Sequence, residues 1–212
     1  MKTVLLACRD PAVADAWRVE LQATGQWKVL GPVTSFAVAR VTMHRHNPDL
    51  MVADMHLVDG SVIDMIRVLR TGTAPLRAQI LVVARGQDDP LLLDALQEGA
   101  DNFFDAAGDA RALARHALET INGGAHIAPW IARRLLDHFG PSAKGESRPH
   151  VEQLIAPLEL TAPERELLRQ LAIDGRVAGA GGPRDVAARV RAIYRKMQWS
   201  LRAGDLQLQT AA

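Results

Sequence analysis

From Thr3 onward, short and nearly continuous apolar runs alternate with segments whose apolar residues recur at helical spacing. The runs are "TVLLAC" (3–8), "WKVLG" (27–31), "DLMVA" (49–53), "QILVVA" (79–84) and "DNFF" (101–104). The first is followed by "PAVADAWRVELQATG", where Val13, Trp17 and Leu21 share one helix face and Gly25 stops it. "SFAVARVTMHRH", "SVIDMIRVLRTG" with Ile63, Ile66, Val68 and Leu69, "DPLLLDALQEG" and "DARALARHALETI" follow the other runs in turn. Apolar strands without alternation, each followed by a helix, predict a doubly wound α/β domain over residues 1–121. Its five-stranded parallel sheet is covered on both faces, and right-handed crossovers give the order 2-1-3-4-5. In such sheets the chemistry lies beyond the carboxyl ends of the strands. Asp54 stands there: in "PDLMVADMHLVDG" it ends the third run, before a polar loop that closes on Asp59-Gly60.

After "NGG" (122–124) the pattern changes. "APWIARRLLDHF" reads as a helix, and "GPSAKGESRPH" has the composition of a linker, so residues 122–157 are expected to be a linker carrying one helix. Residues 158–212 read as a small all-α domain. It opens on a capping box, Thr161 with Glu164, ahead of Leu167, Leu168 and Leu171. That helix is expected to end near Gly175. "RDVAARVRAIYRKM" follows with Val186, Val190, Ile193 and Met197 on one side, and "LRAGDLQLQT" reads as one more short helix. "GAGGPR" (179–184) lacks the preceding strand and the third glycine of a dinucleotide-binding turn, and reads as a turn into Pro183.

Composition adds exclusions. The 212 residues are 48% hydrophobic and 23% charged, with no run long enough for a membrane helix. "MKTVLLACRD" lacks the cleavage region of a secretory signal, and the single cysteine, Cys8, has no internal disulfide partner; a cytoplasmic location is expected. Residues 1–120 carry 12 Lys and Arg against 15 Asp and Glu, and the remainder 13 against 9, so polyanion contact is expected from the C-terminal part. His44 and His46 are two apart, wrong for two ligands on one helix face, and no nucleophile lies beside a base by spacing. No catalytic set, resident metal or cofactor is expected, and an enzyme is the least favoured class.

In their order and spacing, "PDLMVADMHLVDGSVIDMIRVLR" and "ALQEGADNFF" resemble the receiver domain of response regulators, which has a flavodoxin-like fold. "IARRLLDHF", "LTAPERELLRQLA" and "VRAIYRKM" resemble the linker helix and helix-turn-helix output domain of the LuxR/NarL type. The resemblance implies that Asp54 stands at the phosphoacceptor position. It also implies an acidic pair for magnesium after the first strand, a hydroxyl residue ending the fourth and a lysine ending the fifth. Those positions hold Cys8 and Arg9, Ala84, and Ala106, while Asp10 and Asp105 stand one residue away and His56 lies in the loop beyond Asp54. A pseudo-receiver is therefore expected, one that binds magnesium poorly and has Arg9 directed at Asp54 in place of the metal. The scaffold helix of the output domain is expected to be shortened or lost. Arg184, Arg189, Arg191, Arg195 and Lys196 are expected to offer phosphates a cationic helix face. The resemblance further implies a homodimer and a sensor kinase or other regulator as partner. The expected function is thus an atypical transcriptional regulator, and the alternative is a protein-interaction signalling module that has lost specific DNA binding.

Overall fold

The computed structural model describes residues 1–71, 77–84, 91–106, 112–140, 159–174 and 182–210, the last ten of these as helix without their side chains. It divides into two compact units, Met1–His126 and Ile127–Ala212. The linker-like "GPSAKGESRPH" beyond Gly140 and most of the glycine cluster at 179–182 lie outside the described residues.

The first unit holds strands β1 (Lys2–Ala7), β2 (Trp27–Val33), β3 (Leu50–Asp54), β6 (Gln79–Ala84) and β7 (Asn102–Asp105) in one sheet, in the order β2-β1-β3-β6-β7. All four pairings are parallel, as the uninterrupted apolar runs require. A two-stranded antiparallel hairpin, β4 (His56–Leu57) with β5 (Gly60–Ser61), occupies the stretch read as a turn. Helices α1 (Pro11–Ala23), α2 (Phe36–His46), α3 (Val62–Thr71), α4 (Leu91–Glu98) and α5 (Leu113–Ile121) connect and follow the strands.

Side chains alternate between the faces of a strand, and this fixes two cores. Val4, Leu6 and Cys8 of the first run join Leu50, Val52, Leu81, Val83 and Phe104 against Trp17 and Leu21 of α1 and Leu113 and Ala117 of α5. Their neighbours Leu5, Met51, Ile80 and Val82, equally buried, belong to the opposite face. One backbone position favours glycine strongly. Gly31 has φ +90°, and a Cβ there would sit 2.8 Å from the Leu6 carbonyl oxygen, where β1 and β2 change register.

A second contact holds the amino end of β6. Arg70, at the end of α3, donates to the carbonyls of Gly99 and Ala78 and to Asp101 Oδ2 at 2.6 Å; that oxygen also accepts the Ile80 N–H at 2.7 Å. The aspartate of the "GAD" stretch therefore ties α3 to two strands.

The second unit contains α6 (Pro129–His138), α7 (Ala162–Asp174) and α8 (Pro183–Thr210). The helix expected inside the linker, α6, packs on α7, with Arg133 donating to the Ala172 carbonyl at 2.8 Å. The capping box forms as read: the Thr161 N–H reaches Glu164 Oε2 at 2.7 Å, and the Glu164 N–H reaches Thr161 Oγ1 at 3.4 Å. The two helices expected at 184–197 and in the final segment are one helix of 28 residues. Gly204 does not break it, since an isolated glycine costs a helix only about 1 kcal/mol.

Candidate functional site

Register and parity together build the site around Asp54. Leu6 pairs with Val52 and Ala7 with Ala53, so the next residues, Cys8 and Asp54, come level at the carboxyl edge of the sheet and on the same face. The Cys8 thiol lies 3.8 Å from Asp54 Oδ2 and 3.3 Å from the Asp10 carbonyl oxygen, and both Cys8 and Asp54 are buried. On its other side Asp54 pairs with Val83. A thiol is a weak donor, so this contact satisfies little of the carboxylate's demand but adds no charge to it.

Asp10 stands one residue beyond the position where an acidic pair was expected, and its carboxylate is engaged at a helix end. Its Oδ1 accepts the N–H groups of Ala12 and Val13 at 2.9 and 3.4 Å, capping α1, with Pro11 at the first helical position. Arg9, expected to approach Asp54, is exposed and forms no ion pair with it. The side chains of a strand and its continuation alternate, so the parity that aims Cys8 at Asp54 turns Arg9 away. His56 is exposed in the β4–β5 hairpin, opposite Ser61. Ala84 and Ala106 do meet at the edge of the sheet, where the Ala106 N–H donates to the Ala84 carbonyl at 2.8 Å; they bring neither a hydroxyl nor an ammonium group. Asp105 closes β7 beside them.

Magnesium requires hard oxygen ligands in near-octahedral array. Among the described residues, the side chains at the positions expected to hold the ion are a soft thiol, an exposed arginine turned away, and a carboxylate committed to a helix N-terminus, and this donor set does not fit the ion. Among the described residues no group of three or more His, Cys, Asp or Glu is arranged to hold a metal.

Asp59, read as part of a turn, has a second job that spacing did not reveal. Its carboxylate accepts the N–H groups of Phe36 and Ala37 at the start of α2. These bonds, Ala37 first, hold its pKa below the usual carboxylate value. The loop after Asp54 is thereby pinned to the preceding helix.

The cationic face of α8 is smaller than its sequence suggests. Arg191 is buried, 5% exposed, so it cannot reach a phosphate from this position. It lies on the same side of the helix as Val190, Ile193 and Tyr194, and its charge acts on Tyr194, whose hydroxyl pKa burial pushes up while Arg191 pulls the other way. Arg189 donates to the Pro163 carbonyl at 2.9 Å. Lys196 forms an ion pair with Glu164 at 2.6 Å. Partial burial raises the pKa of Glu164, but hydrogen bonds from Lys196 and Thr161 outweigh that and hold it low. Arg184 and Arg195 remain exposed. Helical spacing could not separate these five residues, because what divides them is tertiary packing, α7 holding Arg189 and Lys196.

No protein-family model matches the chain, and no curated protein matches it in sequence. Solved structures do. A two-component response regulator of the LuxR family from Aurantimonas sp. SI85-9A1 is 20% identical with a TM-score of 0.57, covering 65% of this chain and 97% of that one. A DNA-binding response regulator of the LuxR family from Staphylococcus aureus is 12% identical with a TM-score of 0.52, over 57% of this chain and 99% of that one. The isolated receiver domain of RcsB from Salmonella enterica is 16% identical with a TM-score of 0.52, over 57% and 89%. Among the described residues no helix is long and apolar enough to cross a membrane. The parallel sheet, its strand order and these likenesses agree that this chain contains the flavodoxin-like receiver fold of response regulators, followed by further helices.

Proposed function

We propose that this protein is a response-regulator-like regulator of transcription that works without magnesium-dependent phosphorylation of Asp54. The observation that carries the reading is the thiol of Cys8 beside Asp54, with the Asp10 carboxylate committed to capping α1. Phosphoryl transfer to a carboxylate needs cations to offset the charge of donor and acceptor. Neither a magnesium ligand pair nor a lysine stands at the corresponding positions here. The receiver unit then serves as a docking body for a sensor kinase or another regulator, and two chains associate as a homodimer. DNA contact falls to Arg184 and Arg195, which supports weak, salt-sensitive binding with little sequence selectivity.

The second reading, a protein-interaction module without specific DNA binding, is favoured by the engagement of Arg189, Arg191 and Lys196 within their own unit. One experiment addresses both parts. The full chain is incubated with acetyl phosphate and magnesium, its intact mass is measured, and its binding to random duplex DNA is titrated against salt. The expected result is an unmodified mass and an affinity that falls steeply with salt, with Arg184→Ala/Arg195→Ala flattening the slope. A phosphorylated Asp54 refutes the first part. No binding at low salt replaces the transcriptional reading with the interaction module.

A further inference from the structure

The amino edge of the sheet, opposite Asp54, carries a cleft of its own. Where β1, β3 and β6 begin, an open cavity of about 260 Å³ is bounded by Lys2, Asn47, Asp49, Arg77, Gln79 and Ile121 among others. All of these belong to the first unit. The length of β3 separates the cavity from Asp54, about 16 Å along the strand.

Part of the lining is already paired. Lys2 Nζ donates to Asp49 Oδ1 at 3.1 Å, and the Thr3 N–H donates to Asp49 Oδ2 at 2.7 Å. The Gln79 N–H donates to the Asp49 carbonyl at 3.0 Å, so the backbone framing the cleft is tied across two strands. Two side chains are not paired. Gln79 has the parity of Leu81 and Val83, which turns it to the face that α5 covers, where Ile121 ends that helix. Its Oε1 is buried there without a hydrogen-bond partner in the protein. Arg77 is exposed, and among the described residues no carboxylate pairs with it. A buried acceptor that lacks a donor is costly and uncommon. Here it lines the same cleft as a guanidinium that lacks an anion.

We propose that this cleft binds a small α-amino or α-hydroxy acid, with the ligand's carboxylate on Arg77 and its amino or hydroxyl group donating to Gln79 Oε1. The parallel N–H groups of a guanidinium match the two oxygens of a carboxylate. An amide oxygen closed off from water selects a ligand that can donate to it. Charge decides against phosphate: Lys2 and Arg77 set against Asp49 leave one net positive charge, which balances a carboxylate and not a phosphate dianion. Size decides against larger ligands, since the cavity falls below the roughly 300–1,000 Å³ that holds a drug-sized molecule. The site lies at the far end of β3 from Asp54, so its occupancy bears on neither reading of the protein's function given above.

The test titrates the full chain with four probes, reading the heat of binding and the thermal midpoint. L-serine and L-lactate differ in the donor, acetate has none, and inorganic phosphate carries the wrong charge. Serine or lactate should bind and raise the midpoint, with acetate and phosphate at least about tenfold weaker. Arg77→Met should weaken the better probe by at least about tenfold. Gln79→Leu separates binding from folding. It should abolish the preference for that probe over acetate, while the midpoint of the free protein holds or rises because a methyl group replaces an orphaned oxygen. Absence of binding by both serine and lactate at about 10 mM, where a dissociation constant of about 1 mM would show, overturns the site. Phosphate binding more tightly than both, or Gln79→Leu keeping the wild-type preference, overturns it as well.

Discussion

Replacing Asp101 by Ala should destabilise the first unit by about 3 kcal/mol. Asp101 Oδ2 accepts from Arg70 Nη2 at 2.6 Å and from the Ile80 N–H at 2.7 Å, and the Arg70 and Asp101 side chains are only 15% and 14% exposed. Truncation removes the carboxylate from a guanidinium that water reaches poorly, while its bonds to the Gly99 and Ala78 carbonyls remain. It also removes the acceptor of the Ile80 N–H, a loss of about 1 kcal/mol or more by itself. Breaking a fully buried pair costs about 3–5 kcal/mol, and the residual exposure places this one at the lower end. Urea unfolding is followed by the fluorescence of Trp17 and Trp27, both in the first unit, with Trp130 and Trp199 replaced by Phe. A double-mutant cycle with Arg70→Met should show a coupling of about 1.5 kcal/mol, because the second substitution removes a charge that the first has already stranded. Additive costs, or a loss under about 1 kcal/mol for Asp101→Ala, would refute the clamp.

Two further outcomes follow from the same unit. His116 is mostly buried, with its ring 5.1 Å from that of His126; burial first, then the charges of His126 and Arg115, lowers its pKa to about 4. The folded state therefore binds fewer protons than the unfolded one between about pH 6.5 and 4. The contribution is complete above that window and is lost as pH falls through it, by about 3 kcal/mol in full; His116→Phe should flatten this slope in unfolding midpoints measured from pH 7 to 4.5. Gly31→Ala should cost about 1–3 kcal/mol, read from the thermal midpoint, because its Cβ meets backbone oxygen at 2.8 Å in a left-handed conformation. A midpoint unchanged by that substitution would mean the strand shifts freely there.

Much of the first unit was legible along the chain. Apolar runs of four to six residues followed by helical spacing determine element type, because period and length distinguish a strand buried on both faces from a helix that covers it. The carboxyl-edge placement of Asp54 follows from the end of an apolar run, and the capping box from two residues three apart. That Cys8 follows the first strand and that Ala84 and Ala106 stand at the ends of the fourth and fifth was also readable from the chain.

Direction was decided only in three dimensions. Arg9 and Cys8 are adjacent in sequence, yet strand parity aims the thiol at Asp54 and turns the guanidinium outward. Asp10 stands one residue from a position where the resemblance led us to expect an acidic residue, but the start of α1 claims its carboxylate. Asp59 looked like a turn residue until α2, over twenty positions earlier, brought its N-terminus against it. On α8, the five cations divide in three dimensions: Arg189 and Lys196 are held by Pro163 and Glu164 of α7, Arg191 is buried, and Arg184 and Arg195 stay exposed. The reason is common to all four. Local sequence carries the periodicity of an element and the chemistry of its side chains, whereas the partner of each side chain is set by whatever the fold lays beside it.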